Sequence, residues 1–176
     1  LMKAAFIFML VGYGTKAGLA PMHNWLPDAH SQAQAPVSAL FSGFMLNAAL
    51  YCLLRQVPLV EAATGNAGWG RGLLAGFGLL SIVVAAAFIV FQRDLKRFLA
   101  YSSVEHLGII ALGFGLGGVG TFAALFHTLN HSLGKPLAFF AAGRLGQQLG
   151  THELGRMAGT LRVSRVWGLA LFGGLL

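Results

Sequence analysis

Residues 1–30 read LMKAAFIFMLVGYGTKAGLAPMHNWLPDAH: an apolar run of membrane-helix length, then a lysine, Lys16, then two helix breakers, Gly18 and Pro21. An ammonium group at depth in a bilayer costs a few kcal/mol or more unless it snorkels to the headgroups or faces a hydrated protein interior. Snorkelling suits Lys16 if the helix ends at Ala20. The apolar pattern resumes with Trp25 and Leu26, however, and reaches clear interface residues only at Asp28 and His30. Residues 1–30 therefore also read as one interrupted span with Lys16 near its middle. Irregular backbone at that depth is tolerated only where protein or water satisfies its polar groups.

The rest of the chain supports a membrane setting. Of 176 residues 56% are hydrophobic, 10% are charged and 25 are glycine, where a soluble domain carries about a quarter charged residues. Apolar stretches near 18 residues or more suffice to cross about 30 Å of hydrocarbon as helix. They fall at about 2–20, 36–54, 73–92, 98–116 and 121–143, and a further one opens near Val163 and is cut at Leu176. The fold expected is an all-α polytopic bundle of five transmembrane helices plus the start of a sixth, with the first span broken. The runs lack the alternation of a membrane β-barrel. All of residues 1–176 read as part of a single transmembrane domain, and a start at leucine suggests a segment of a longer protein.

The net charge of +7 is spread between the apolar runs and forms no stripe for nucleic acid. Lys3, Arg55 and Arg71 fall on one side of the membrane; Arg93, Lys96, Arg97, Arg144, Arg156, Arg162 and Arg165 fall on the other. Three against seven places the second side in the cytoplasm by the positive-inside tendency. The segment FQRDLKRF reads as a solvated turn on that side. Cys52, the single cysteine, reads as a small buried hydrophobe.

Two further segments place titratable groups inside apolar runs. In ALFHTLNHSLGKPLAFF, His127, His131 and Lys135 recur every four residues, so they line one side of a helix with a climb of about 6 Å and a drift of about 40° per step. Imidazole gains and loses protons near neutral pH, and a lysine does so when desolvated or placed near another cation. Pro136 follows and removes a backbone donor, so a local distortion is expected there. The spacing also resembles metal ligation, yet neither a cysteine nor a nearby carboxylate completes a metal site. In AYSSVEHLGII, Glu105 and His106 follow Ser102 and Ser103 by about a turn; the glutamate either neutralises or finds a cation such as Lys16 or a residue of the ladder. A helix-to-helix hydrogen bond is the alternative. The glycines of GFGLGGVGTF have no Lys-Ser/Thr beside them and mark a tight turn and close helix packing rather than a phosphate cradle.

The blocks GYGTKAGLAPMHNWLPDAHSQAQAPVSAL, RDLKRFLAYSSVEHLG and LFHTLNHSLGKPLAFFAAG together resemble the proton-conducting antiporter-like membrane subunits shared by respiratory complex I, multisubunit cation/proton antiporters and energy-converting hydrogenases. The resemblance covers nearly the whole chain, with several separated blocks in order. It implies a position in the middle of a subunit of about fourteen helices, from the seventh helix to the start of the twelfth, with the seventh helix broken and its lysine, here Lys16, in the proton path. It also matches His127, His131 and Lys135 to the titratable positions of the eleventh helix. Two departures stand out. Many members have a lysine in the eighth helix where this chain has Asn47 in FMLNAALYCLL, and SSVEHLG is closer to the hydrogenase-4 and formate hydrogenlyase subunits than to complex I.

The expected function is therefore proton translocation in a hydrogenase-type complex. Lys16, Glu105, His127, His131 and Lys135 are the relay, and Ser103, Asn47, His106 and Asn130 are supporting polar groups. A complex I subunit, a sodium/proton antiporter subunit and a purely structural assembly subunit are the alternatives. No redox cofactor signature is present, so electron transfer is assigned to partners: other membrane subunits and peripheral hydrogenase or dehydrogenase subunits. The location expected is the bacterial cytoplasmic (inner) membrane, with lipid and not nucleic acid as the surroundings.

Overall fold

A computed structural model describes residues 1–66 and 68–175. The elements are α1 (Met2–Ala17), α2 (Trp25–Gln32), α3 (Ala35–Leu40), a π-helical turn (Phe41–Met45), α4 (Leu46–Thr64), α5 (Trp69–Ile89), α6 (Leu95–Leu116), α7 (Val119–Leu149), a 3₁₀ turn (Leu154–Arg156), α8 (Thr160–Val163) and α9 (Arg165–Leu175). The described residues contain no strand, only an isolated bridge between Asp94 and Glu153. By length and hydropathy three helical stretches can cross a membrane: Ala35–Thr64, Trp69–Ile89 and Leu95–Leu116. The count is lower than the five expected for two reasons. Helix α1 has only 16 residues because Gly18 stops it, and the polar ladder lowers the hydropathy of α7, although its 31 residues are ample in length.

The break in the first span is present. Gly18 takes a left-handed conformation with φ 75°, open to a residue without Cβ. The Leu19 amide donates to the Gly14 carbonyl at 2.9 Å, and the Gly18 amide donates to that of Thr15 at 3.1 Å, which closes the helix end. Pro21 lies in the turn that follows. Two side chains satisfy backbone groups here: Trp25 Nε1 donates to the Thr15 carbonyl at 2.7 Å, and Ser81 Oγ, from α5, accepts from the Ala20 amide at 2.8 Å. The break is thus held by protein.

Helix α1 packs on α4, α5 on α6, α6 on α7, and α7 on α9. One apolar cluster joins Phe6 and Leu10 of α1 to Leu46, Leu50 and Leu53 of α4, Leu74 of α5, and Val104 and Leu107 of α6. A second joins Leu99 of α6 to Phe139, Ala142 and Leu145 of α7 and Leu171 of α9. Along α6 the two clusters meet at Ser102 and Ser103. Between α5 and α6 the approach is backbone to backbone: a Cβ on Gly78 would sit 2.7 Å from the Gly108 carbonyl oxygen. Such contacts suit a bundle in lipid, where association rests on close packing rather than on expulsion of water. Phe8, Val83, Phe91, Phe122 and Leu133 lie on the outer surface.

The two sets of basic residues lie at opposite ends of the helices. At one end Lys3 Nζ stands 5.3 Å from the Trp69 ring, and Arg71 pairs with Glu61 at 3.2 Å. At the other, the Leu95 amide donates to the His152 carbonyl and the Leu154 amide to the Arg93 carbonyl, both at 2.8 Å. Two expectations need correction. Cys52 is exposed, because the inward stripe of α4 runs through Leu46, Asn47, Leu50, Leu53 and Val57 and leaves it on the outer face. Lys96 is not solvated in a turn: it is buried and donates to the Ser31 carbonyl at 3.0 Å and to that of Ala33. These carbonyls are the acceptors freed where α2 ends, and an ammonium group suits the negative end of a helix.

Candidate functional site

The ladder predicted on α7 is present, and its members differ in exposure. Lys135 is 2% exposed and His131 3%, whereas His127 is half-buried and Asn130 exposed. Lys135 Nζ donates to Ser102 Oγ of α6 at 2.6 Å. His106 Nδ1, also on α6, lies 2.8 Å from His127 Nε2 with the ring planes within 11°. The His106 and His131 rings are 5.6 Å apart between centroids. His106, His127, His131 and Lys135 line a cavity of about 340 Å³ between α6, α7 and the end of α9, which Asn130, Gly134 and Gly174 complete.

Helix α4 contacts α7 beside the cluster. Asn47 Nδ2 lies 3.1 Å from His131 Nδ1, 2.8 Å from Ser132 Oγ and 2.9 Å from the Gly43 carbonyl oxygen. Gly43 belongs to the π-helical turn, and a Cβ on it would overlap the Pro136 ring of α7. The distortion expected at Pro136 is not seen in α7, which runs through the proline as helix; the facing helix is the one that opens, into a π turn. Next to it, Ser103 Oγ donates to the Leu99 carbonyl at 3.0 Å and accepts from Ser42 Oγ at 2.8 Å, since its only hydrogen is committed. Adjacent serines of α6 thus serve different neighbours, Ser102 the lysine of α7 and Ser103 the π turn.

Chemically, the cluster holds three imidazoles, one ammonium and several hydroxyls in a space large enough for water. His106 Nδ1 and His127 Nε2 at 2.8 Å are at hydrogen-bond distance, so one of the two nitrogens carries the hydrogen and the other accepts it. Ser102 is the partner of Lys135 that the ladder spacing could not reveal, because it lies on another helix.

Lys16 and Glu105 are not brought into this cluster. Lys16 is exposed, next to Phe8, Gly12 and Tyr13 on α1, and makes no hydrogen bond or ion pair among the described residues. The reason is rotational: Phe6, Leu10, Gly14 and Ala17 form the buried stripe of α1, and Lys16 falls off it. Glu105 is half-buried and has no ion-pair partner within 4.0 Å among the described residues. Among the described residues Glu105 forms no direct ion pair with Lys16 or with the ladder.

The chain and its fold have close counterparts. A hydrogenase-4 component F homolog from Methylacidiphilum infernorum is 44% identical over 177 residues, covering 100% of this chain and 37% of the relative. Hydrogenase-4 component B of Escherichia coli is 37% identical, covering 95% of this chain and 26% of its own length. A chain in the structure of the Mrp complex from Dietzia superposes with a TM-score of 0.88 at 25% identity, over 98% of this chain and 32% of that one. The chain spans about a third of the relatives it matches. The family model described as NADH:quinone oxidoreductase/Mrp antiporter, TM, matches residues 1–176, so the chain belongs to this family of integral membrane subunits.

Proposed function

We propose that the chain is the proton-conducting part of a membrane subunit in a hydrogenase-4 or formate hydrogenlyase type complex of the bacterial cytoplasmic membrane. Protons move through Lys135, His127 and His106, with His131 beside them in the same cluster, and electron transfer takes place in partner subunits. The observation that carries this reading is the buried Lys135–Ser102 contact beside linked imidazoles around one polar cavity. In this reading Lys16 and Glu105 join the route through water and through further helices of the longer subunit. A proton fits the site better than sodium does, because a hard cation is bound by several converging oxygens, whereas the charged and titratable groups here are nitrogen donors.

The test uses the assembled complex in lipid vesicles, driven by its own electron donor, with a pH-sensitive dye inside. Lumenal pH should change with turnover, in sodium-free buffer, and collapse with a protonophore. Turnover without proton movement, or movement that requires sodium, would overturn the proposal.

A further inference from the structure

Asn47 makes a set of contacts that settles which atom of its side chain is which. The Gly43 carbonyl oxygen can only accept, so the amide atom 2.9 Å from it is the nitrogen. Its remaining hydrogen is directed to His131 Nδ1 at 3.1 Å and Ser132 Oγ at 2.8 Å. The amide nitrogen itself accepts nothing, and Asn47 Oδ1 has no partner among the described residues. A hydrogen on His131 Nδ1 would therefore face the hydrogens of the amide. Nδ1 is the bare nitrogen and Nε2 carries the hydrogen; Nε2 is the buried ring nitrogen without a partner in the described residues.

We propose that Asn47 is a positioning residue that holds His131 as the Nε2–H tautomer. A histidine that relays protons through its ring takes a proton on one nitrogen and releases it from the other. With Nδ1 capped by an amide that is neither an acid nor a base near neutral pH, this path is closed. A neutral imidazole that already holds its hydrogen on Nε2 can take a second proton only at Nδ1, so His131 stays neutral and serves the route as a fixed Nε2–H donor toward α6 and α7, leaving carriage to Lys135, His127 and His106. The π turn has a part in this, because it supplies the Gly43 carbonyl that orients the amide.

The consequence for the route rests on the proton-conducting reading, whereas the tautomer does not, so the two fail separately. The test is solid-state nitrogen NMR of the assembled complex in lipid, with histidine and asparagine labelled. His131 is identified in the unmodified protein by its through-space correlation to the Asn47 side chain, so no variant is needed for assignment. The expected result is a bare Nδ1 and a protonated Nε2. Asn47→Asp, whose carboxylate accepts from Nδ1–H, should reverse the two resonances, and Asn47→Leu should leave a mixture. A proton on Nδ1 in the unmodified protein, or unchanged resonances in Asn47→Asp, would overturn the proposal. A confirmed tautomer in a complex that moves no protons would leave it standing and remove the proposed function instead.

Discussion

Lys135→Met separates transport from architecture. Met fills nearly the same length of side chain without a group that binds protons. Lys135 is 2% exposed, and its ammonium makes one hydrogen bond among the described residues, to Ser102 Oγ at 2.6 Å. Such a bond to a charged group returns about 1.5–3 kcal/mol. Removing an ammonium from water costs several kcal/mol, and replacing buried charge by apolar side chains of similar volume is often neutral or stabilising by about 1–4 kcal/mol. The sum favours Met in the folded state even after Ser102 loses its donor. Assembly and heat resistance should therefore match or exceed those of the unmodified protein, while proton uptake into vesicles per assembled complex falls at least about tenfold, which is about 1.4 kcal/mol on the barrier. The measurement is dye-reported uptake normalised to complex content by quantitative blot. Normal uptake per complex would refute the role of Lys135, and poor assembly with normal uptake in what remains would make it a structural residue.

Lys16→Met should reduce uptake per complex with little loss of subunit, and Lys16→Arg should also be impaired because guanidinium keeps its proton near neutral pH; tolerance of Arg with failed assembly of Met would show a structural charge. Gly43→Ala drives a methyl group into the Pro136 ring, an overpacking worth about 1–3 kcal/mol. Hydrogen exchange of the amides of residues 41–50 should rise about fivefold or more, and Pro136→Ala added to it should restore protection; no rise would refute the contact. In the loop after α7, burial pushes the His152 imidazole below its ordinary value of 6.5, nearby Lys96 acts in the same direction, and Asp94 opposes them. The folded loop binds this proton less readily than the unfolded one, so the stability it contributes is present above pH 6.5 and is lost as pH falls below it. The Leu95 and Leu154 amides should exchange faster at pH 5.5 than at 7.5 after correction for intrinsic rates, and unchanged protection would refute the assignment.

The features legible in sequence are those set by local chemistry. Gly18 after an apolar run signals a helix end, and a four-residue repeat puts His127, His131 and Lys135 on one side of α7 whatever surrounds it. Asp94, read as part of a solvated turn, in fact caps α6, accepting from the Arg97 amide at 2.9 Å. What tertiary packing decides was not legible. The rotation of α1 that exposes Lys16 depends on which face meets α4. The burial of Lys96 depends on carbonyls freed some sixty residues earlier in the chain. The π turn at Phe41–Met45 has no signature beyond a glycine, and the proline ring that Gly43 packs against lies on the facing helix. Asn47 read as the loss of a lysine; only its three contacts show that it is a fixed amide with its own work.

Helices α6 and α7 are joined at one end by Gly117 and Gly118, and at the other by the paired backbone bonds between Arg93–Leu95 and His152–Leu154. A hairpin fastened at both ends can twist about its long axis but cannot splay. The two walls of the cavity that bear His106 on one side and His131 and Lys135 on the other are thereby tied together at both ends. On the proposed function, alternation in access would fall to side-chain rotation, to water, to α9, which forms the remaining wall, or to the α3–α4 rod, whose π turn carries one residue of slack.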